Sequence, residues 1–505
     1  MAKRKSQKRL KTRKRSQGSN VTLKKLNRQA WVVTIFFTLL FLGMIGYYIY
    51  FIAVDSQEIA SNTYNKRLDG MAENVIRGTI YSKDGEMLAY TDTNGTERNL
   101  KDDSRIYPYG RRFAHVVGIT THGGSGLEKQ SNYDLLSVEA TPIQKIIDDF
   151  QETQEHGCDV HTTLDTDMQS YCYRALGDSK GAVFMMNPKT GAVSVMTSRP
   201  SYNPETIDRI WKKLAKSKTD SRLINRATQG KYTPGSTFKI STALEYIKET
   251  KEFKDFSYYC DGYIRFKIPK DERTKYDKKS FTMHCFDGTA HGQENLEQAF
   301  ANSCNCAFSE IGTKLDISKF QSTNNTLMFN QKLPIDIESS RSKFVLNDES
   351  KKSEIVQTSI GQGNTTVSPA HMGMIAAAIS NKGVLMKPYL VDSVVNSHGV
   401  VVKNAKQKEY RRLMSEDDAK VLKKYMKAVC EWGTGRTMNY QNYVAYGKTG
   451  TAELDNNDHI NSWFVGWAKR GKKKVVIAIC LENIVQGSKS ATFIAKDIFD
   501  YYFDQ

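Results

Sequence analysis

Trp31 to Val54 reads WVVTIFFTLLFLGMIGYYIYFIAV, twenty-four residues without one charge. As a helix the stretch is about 36 Å long, enough to cross a bilayer core of ~30 Å with some tilt. A cleaved signal peptide would have a shorter apolar run and a small-residue cleavage site, and neither is evident. Trp31, Tyr47, Tyr48 and Tyr50 suit the two membrane interfaces. The 29 residues at the start of the chain hold twelve Lys or Arg and no acid. That basic flank belongs on the cytoplasmic side, which puts everything after Asp55 across the membrane. The formal charge of +18 is therefore mostly a tail, and +6 remains for the rest. Such a tail could also be read as a nucleic-acid arm. A membrane span two residues later favours an orientation signal in contact with anionic lipid. No later stretch is long and apolar enough to cross again, so the chain reads as a single-pass anchor with about 450 residues beyond it.

The 505 residues allow two or three domains with sizeable cores. Residues 55–75 read as a short polar helix. RGTIYSKDGEMLAYT, Arg77 to Thr91, alternates like a strand, turns at Lys83-Asp84-Gly85 and alternates again, a hairpin. The mixed, turn-rich texture to Gly157 suggests a small α+β module. From Cys158 the texture changes: a strand, an amphipathic helix from near Asp165, then a hairpin in GAVFMMNPKTGAVSVMTS. Residues 236 to about 440 read as mostly helical, with loops at 250–290 and 330–355. NYVAYGKTGTAE, NSWFVGWAKR and KKKVVIAICLEN form a three-strand meander. The closing SATFIAKDIFDYYF is a helix with Phe493, Ile494, Ile498, Tyr501 and Tyr502 at helical spacing. There are no repeats.

Eight cysteines are scattered, with no CxxC pair, so spacing lends little support to a structural zinc site. A location outside the cytoplasm permits disulfides. Cys260 and Cys285 are the best candidate pair, with unpaired buried thiols an equal alternative. Cys304 and Cys306, two apart, would point different ways on a helix.

Chemistry gathers in three triplets. In GKYTPGSTFKISTALEYIK a Pro-Gly loop is followed by Ser236, on the first turn of a helix whose apolar face carries Ile240, Leu244 and Ile247. Lys239 stands one turn on, so its amine can reach the Ser236 oxygen. Serine is a poor nucleophile until a neutral amine takes its proton. Bringing a lysine pKa down towards 7–8 takes about 4 kcal/mol of burial and neighbouring positive charge, so the site needs a second cation. Lys448-Thr449-Gly450, on the first meander strand, would supply it. Ser303-Cys304-Asn305 would relay protons through Ser303 and bind a substrate amide through Asn305. Each triplet alone is weak. The chain also holds Ser340-Arg341-Ser342-Lys343, Ser201-Tyr202-Asn203, Ser322-Thr323-Asn324 and a second Lys-Thr-Gly at Lys189. Only Ser236 opens an apolar helix after Pro-Gly, and only Lys448 heads a sheet, where Gly450 lets a bound backbone come close. An ordinary helix start is the bland reading of Ser236 and Lys239, and an ordinary turn that of His459 with Asp455–Asp458.

With these triplets in order, the sequence resembles the class B penicillin-binding proteins, membrane-anchored peptidoglycan D,D-transpeptidases. Asn65 with Arg67, RGTIYSKDGEMLA, YPYGRRFAHVVG and GSGLE are similar to that family's N-terminal pedestal. GCDVHTTLDTDMQ, NRATQGKYTPGSTFK, His291-Gly292, NSCN, SIGQGNTTVSPAHM and YGKTGTAE are similar to its transpeptidase domain. The resemblance implies an α+β fold in four parts: a basic cytoplasmic tail (1–29), one transmembrane helix (30–54), a small α+β pedestal (55–157), and a transpeptidase domain (158–505) with a mainly antiparallel central sheet flanked by helices. It implies that Ser236 attacks the penultimate D-Ala carbonyl of a stem peptide, with Lys239 as base and Ser303 and Lys448 sharing proton transfer. Backbone N–H groups of Ser236 and Thr451 would hold the oxyanion. Thr449, Gly450 and Thr451 would bind the substrate and its terminal carboxylate. β-Lactams would acylate Ser236, and no metal or organic cofactor is implied. About 100 residues before the domain leave no room for a glycosyltransferase, so a membrane-embedded glycan polymerase is the expected partner. The competing readings are a D,D-carboxypeptidase or β-lactamase and a non-enzymatic scaffold that activates such a polymerase. Against a class A β-lactamase, no E-x-x-L-N follows Asn305.

Overall fold

The computed structural model describes residues 28–52, 75–93, 104–139, 155–270, 272, 279–454 and 459–505. Two compact units divide the chain between Lys66 and Arg67. In the first, a helix α1 runs Arg28–Tyr50 and all its side chains are exposed, which suits lipid rather than water as its surroundings. Ala53 and Val54 of the expected span, and the expected polar helix to residue 74, lie outside the described residues.

In the second unit, β1 (Ile80–Tyr81) and β2 (Met87–Asp92) form the hairpin anticipated from alternation. Gly85 takes the positive φ of 83° that the turn requires. β3 (Ser104–Ile106) extends it, and β4 (Asp159–Thr162) runs parallel to β1. The boundary expected at 157/158 thus falls inside one sheet. Glu128 fastens this region: fully buried, it accepts from Arg77 Nε (2.7 Å) and Arg105 Nε (2.8 Å). Burial opposes its charge, but the two guanidiniums outweigh burial and hold its carboxyl below the usual range.

Asp165 caps helix α2 (Thr166–Ala175), accepting from Met168 N. β5 (Gly181–Met186) and β6 (Val193–Arg199) make the second hairpin, and helix α3 (Lys239–Glu249) follows. Residues expected as loop at 250–290 carry strands β7 (Tyr258–Cys260), β8 (Tyr263–Lys267) and β9 (Ser280–His284), and β10 (Gly292–Glu294) follows in the stretch expected as helical. Helices α4 (Leu296–Ala301), α5 (Asn305–Gly312) and α6 (Pro369–Ser380) come next. A region expected as helical then holds β11 (Val384–Met386), β12 (Val391–Val395), β13 (Val401–Asn404) and β14 (Glu409–Arg412). These strands are three to five residues long, too short for a period of two to stand out. Helix α7 (Glu416–Glu431) leads into the meander β15 (Val444–Glu453), β16 (His459–Arg470) and β17 (Lys473–Val485), and α8 (Ala491–Asp504) closes the chain.

The central sheet runs β15-β16-β17-β5-β6, antiparallel throughout. Its strands are buried on both faces, so alternate residues feed two different cores. Trp463, Val465 and Trp467 pack with α6 in one. Phe464 and Ala468 pack with α2 and α8 in the other. Helix α6, apolar on nearly every side apart from His371 and Ser380, is buried throughout. A Cβ on Gly373 would meet the Phe184 ring at 2.7 Å, so a bare backbone is what brings this helix against β5. In α8, Ile494, Ile498, Phe499 and Phe503 are buried, while Phe493, expected on the apolar face, is exposed.

Candidate active site

Ser236 lies in a 3-10 turn, Gly235–Phe238, that runs directly into α3. Its position depends on backbone meeting backbone. Gly235 has φ 54°, and a Cβ there would lie 2.6 Å from the Thr451 carbonyl. Gly450 also lacks the Cβ that would press on Pro234 O and Thr237 Cγ2. In this structure, then, that glycine admits the serine turn to edge strand β15. Trp463 Nε1 donates to Thr233 O (3.0 Å), tying the preceding loop to β16.

The second triplet reaches the site through a left-handed residue. Ser303 has φ 60° between α4 and α5, a conformation a non-glycine residue keeps only when its surroundings enforce it. Lys239, fully buried, donates to Ser236 Oγ (3.1 Å), Ser303 O (2.6 Å) and Asn305 Oδ1 (2.7 Å), and lies 3.3 Å from Ser303 Oγ. Lys448, also fully buried on β15, donates to Ser303 Oγ (2.8 Å) and Thr449 O (3.1 Å). One hydrogen-bonded path therefore joins Ser236, Lys239, Ser303 and Lys448. Lys189, in the exposed β5–β6 turn, stays outside it. Of the other lookalikes, Ser201 bonds Arg111 O, and Asn324 accepts from Ser241 in the core.

Neither amine has a carboxylate partner among the described residues. Each instead faces a ring: Lys239 Nζ is 5.5 Å from the Phe308 centroid and Lys448 Nζ 5.7 Å from that of Phe300, contacts that favour the charged form. Burial still dominates. It lowers Lys239 to about 8, against the opposing pull of Cys304, Cys285 and Cys306. Burial, then the charge of Lys239, holds Lys448 well below the ordinary lysine value. The second cation foreseen from sequence is present, buried beside the first.

Ser236, Ser303 and Asn305 line a cleft of about 380 Å³ together with Thr449, Gly450 and Thr451, while the two lysines are buried and take no part in its lining. Three further lining residues went unnoticed in the sequence. Thr434 Oγ1 lies 2.6 Å from Thr449 Oγ1, Gln362 follows Gly361 in the SIGQG run, and Asn302 Nδ2 donates to Glu294 Oε1 (2.8 Å). Only the glycines beside Thr434 and Gln362 hinted at special backbone there. His459 opens β16 and is exposed, and Asp455–Asp458 lie outside the described residues.

Of the two readings held open for Cys260 and Cys285, the unpaired one matches the structure: they are buried free thiols 3.6 Å apart. The other pair departs from expectation. Cys304 is not within a helix but caps α5, so it and Cys306 converge on Cys285 Sγ, at 3.8 and 3.4 Å, instead of diverging.

Known proteins resemble this chain in sequence and fold. The family described as penicillin binding protein transpeptidase domain matches residues 181–500. The peptidoglycan D,D-transpeptidase MrdA of Acinetobacter baumannii is 28% identical over 454 residues, covering 79% of this chain and 66% of that protein. Peptidoglycan D,D-transpeptidase PbpA of Mycolicibacterium smegmatis is 28% identical over 433 residues, covering 81% and 84%. A D,D-transpeptidase domain from Eggerthella lenta superposes with a TM-score of 0.72 at 28% identity, covering 85% of this chain and 99% of that one. Penicillin-binding protein A of M. tuberculosis, solved as its imipenem acyl-enzyme, has the same fold, with a TM-score of 0.75 at 24% identity over 86% and 100% of the two chains. The match over 181–500 spans well over half of the sequence and contains all three triplets, and on that ground the chain belongs to the penicillin-binding protein transpeptidase family.

Proposed function

We propose that the chain is a membrane-anchored peptidoglycan D,D-transpeptidase working through an acyl-serine. The observation that carries this reading is the unbroken path Ser236–Lys239–Ser303–Lys448, two buried amines around one alcohol. Neutral Lys239 takes the Ser236 hydroxyl proton as Oγ attacks the carbonyl of the penultimate D-Ala. The oxyanion is received by the backbone N–H groups of Ser236 and Thr451. The C–N bond then breaks, and the departing D-Ala amine takes a proton delivered from the Lys239–Ser303–Lys448 path. An amine from a neighbouring stem peptide attacks the ester, gives up a proton to the same path, and frees Ser236. Thr449 and Thr451, with Lys448 behind them, bind the terminal carboxylate, and Asn305 holds a substrate amide. In a β-lactam the leaving nitrogen stays tethered by its ring system, so the acyl-enzyme persists.

The domain limits follow the sequence: tail 1–29, span 30–54, pedestal 55–157, transpeptidase 158–505. The basic tail lies in the cytoplasm and the catalytic domain across the membrane. A membrane-embedded glycan polymerase supplies the strands to be joined. Intact-mass measurement after exposure to labelled penicillin tests the chemistry. One adduct per chain is expected, on the peptide containing Ser236 and absent in Ser236→Ala. An adduct elsewhere, or rapid turnover of penicillin, would overturn the reading.

A further inference from the structure

Directly behind Ser303 lies a cluster that the proposed chemistry leaves unused. Cys260 ends β7, Cys285 follows β9, His291 precedes β10 and Cys304 sits between Ser303 and Asn305. Their four donor atoms lie within 4.8 Å of one another. Cys260 Sγ is 3.6 Å from Cys285 Sγ and 3.5 Å from His291 Nδ1, and Cys285 Sγ is 3.8 Å from Cys304 Sγ. The three cysteines are buried, and His291 is half-buried on the cleft wall.

Those separations are diagnostic. Zinc binds thiolate at about 2.3 Å and imidazole at about 2.0–2.1 Å, so tetrahedral donors stand about 3.8 Å (S to S) and about 3.6 Å (S to N) apart. The three measured edges agree within a few tenths of an ångström. Packing alone explains the arrangement poorly: buried thiols act as small apolar groups, and an imidazole nitrogen gains little from such neighbours. A single disulfide would use two of the four neighbouring sulfurs, Cys306 included, and leave the other thiols and the imidazole unassigned. The charge also fits. Three thiolates around a dication carry a net −1, next to two buried amines that have no carboxylate partner among the described residues.

We infer that Cys260, Cys285, His291 and Cys304 bind one Zn²⁺ ion that fastens the Ser303–Asn305 turn to the strands flanking β7–β10. Binding displaces the thiol protons: Zn²⁺, three thiols and a neutral imidazole give an anionic complex and three H⁺. Four protein donors leave no coordination position for water, so the site is structural. Its effect on the reaction is positional, because Cys304 is covalently joined to both Ser303 and Asn305. The role in positioning Ser303 rests on the acyl-serine reading, whereas the metal site does not.

The test uses the full-length chain, purified in detergent under reducing conditions without a metal-binding tag. Elemental analysis should find about one zinc per chain. Cys285→Ser and Cys304→Ala should lose it, while Cys306→Ala and Ser236→Ala should keep it. Retention in Ser236→Ala separates the metal from the acyl-serine: either can fail without the other. Should the cysteine variants misfold, wild-type protein stripped with chelator and reloaded with Co²⁺ should show the sulfur-to-cobalt charge-transfer and ligand-field bands of a tetrahedral thiolate site. Wild-type protein that neither retains zinc nor gives the cobalt spectrum overturns the inference. So does an intact mass two hydrogens low without metal, or zinc lost in Cys306→Ala but kept in Cys304→Ala.

Discussion

Lys239 spends all three of its protons on Ser236 Oγ, Ser303 O and Asn305 Oδ1, so its ammonium form is a fastener and its neutral form a base. Lowering its pKa from 10.5 to about 8 corresponds to about 3 kcal/mol between the two forms. An arginine would keep the charge but could not give it up. Lys239→Arg should therefore slow penicillin acylation by roughly 10²–10⁴-fold while the thermal midpoint changes little. Stopped-flow acylation beside a melting curve checks this, and a variant with wild-type acylation would remove Lys239 from the role of base. That Ser236, Lys239, Ser303 and Lys448 come together was legible because each sits in a triplet whose local element could be read. Thr434 was not, since nothing in Trp432-Gly433-Thr434 says that it will meet Thr449. Nor was the gathering of Cys260, Cys285, His291 and Cys304, which come from separate loops at irregular spacing and so escape any spacing rule.

Among elements, the junction of the serine turn with β15 and the SIGQG segment is the most constrained. Gly361 has φ 83°, and a Cβ there would lie 1.8 Å from Gly235 O. Gly235 N in turn donates to Gly361 O at 2.9 Å. The left-handed backbone alone would cost alanine about 1–2 kcal/mol, and the clash must move the turn that carries Ser236. Gly361→Ala should thus lose acylation out of proportion to stability. Wild-type acylation rates with an unshifted melting curve would show that the turn can relax. Both hairpins, the meander and the last helix were readable because their apolar residues recur over many positions. The short strands β7–β14 were not, because pairing with distant partners, rather than any local pattern, makes them strands.

At the scale of the whole molecule, acid should unmake the fold through two buried histidines that do not line the cleft. His115 Nε2 donates to Arg222 O (2.7 Å) and His371 Nε2 donates to Leu327 O (2.6 Å). Burial lowers both to about 4. Unfolded, each would titrate near about 6.5 and bind a proton the folded chain refuses. Stability is therefore fully present above about pH 6.5 and drains away as pH falls towards 4, by about 3 kcal/mol for each group. Melting temperature followed from pH 7 to pH 4.5 should fall steeply, and a flat profile would contradict this account.

Two amines sealed away from water without carboxylates make the cleft the least comfortable part of an otherwise well-packed body. Replacing Lys448 by methionine, a similar shape with no charge to desolvate, should leave the melting temperature level or raise it by the equivalent of about 1–4 kcal/mol, while abolishing acylation. A chain selected only to endure would discard that lysine. Its presence means that resilience has been surrendered at this spot, so any screen that rewards heat tolerance alone should drift towards sturdy, inert descendants.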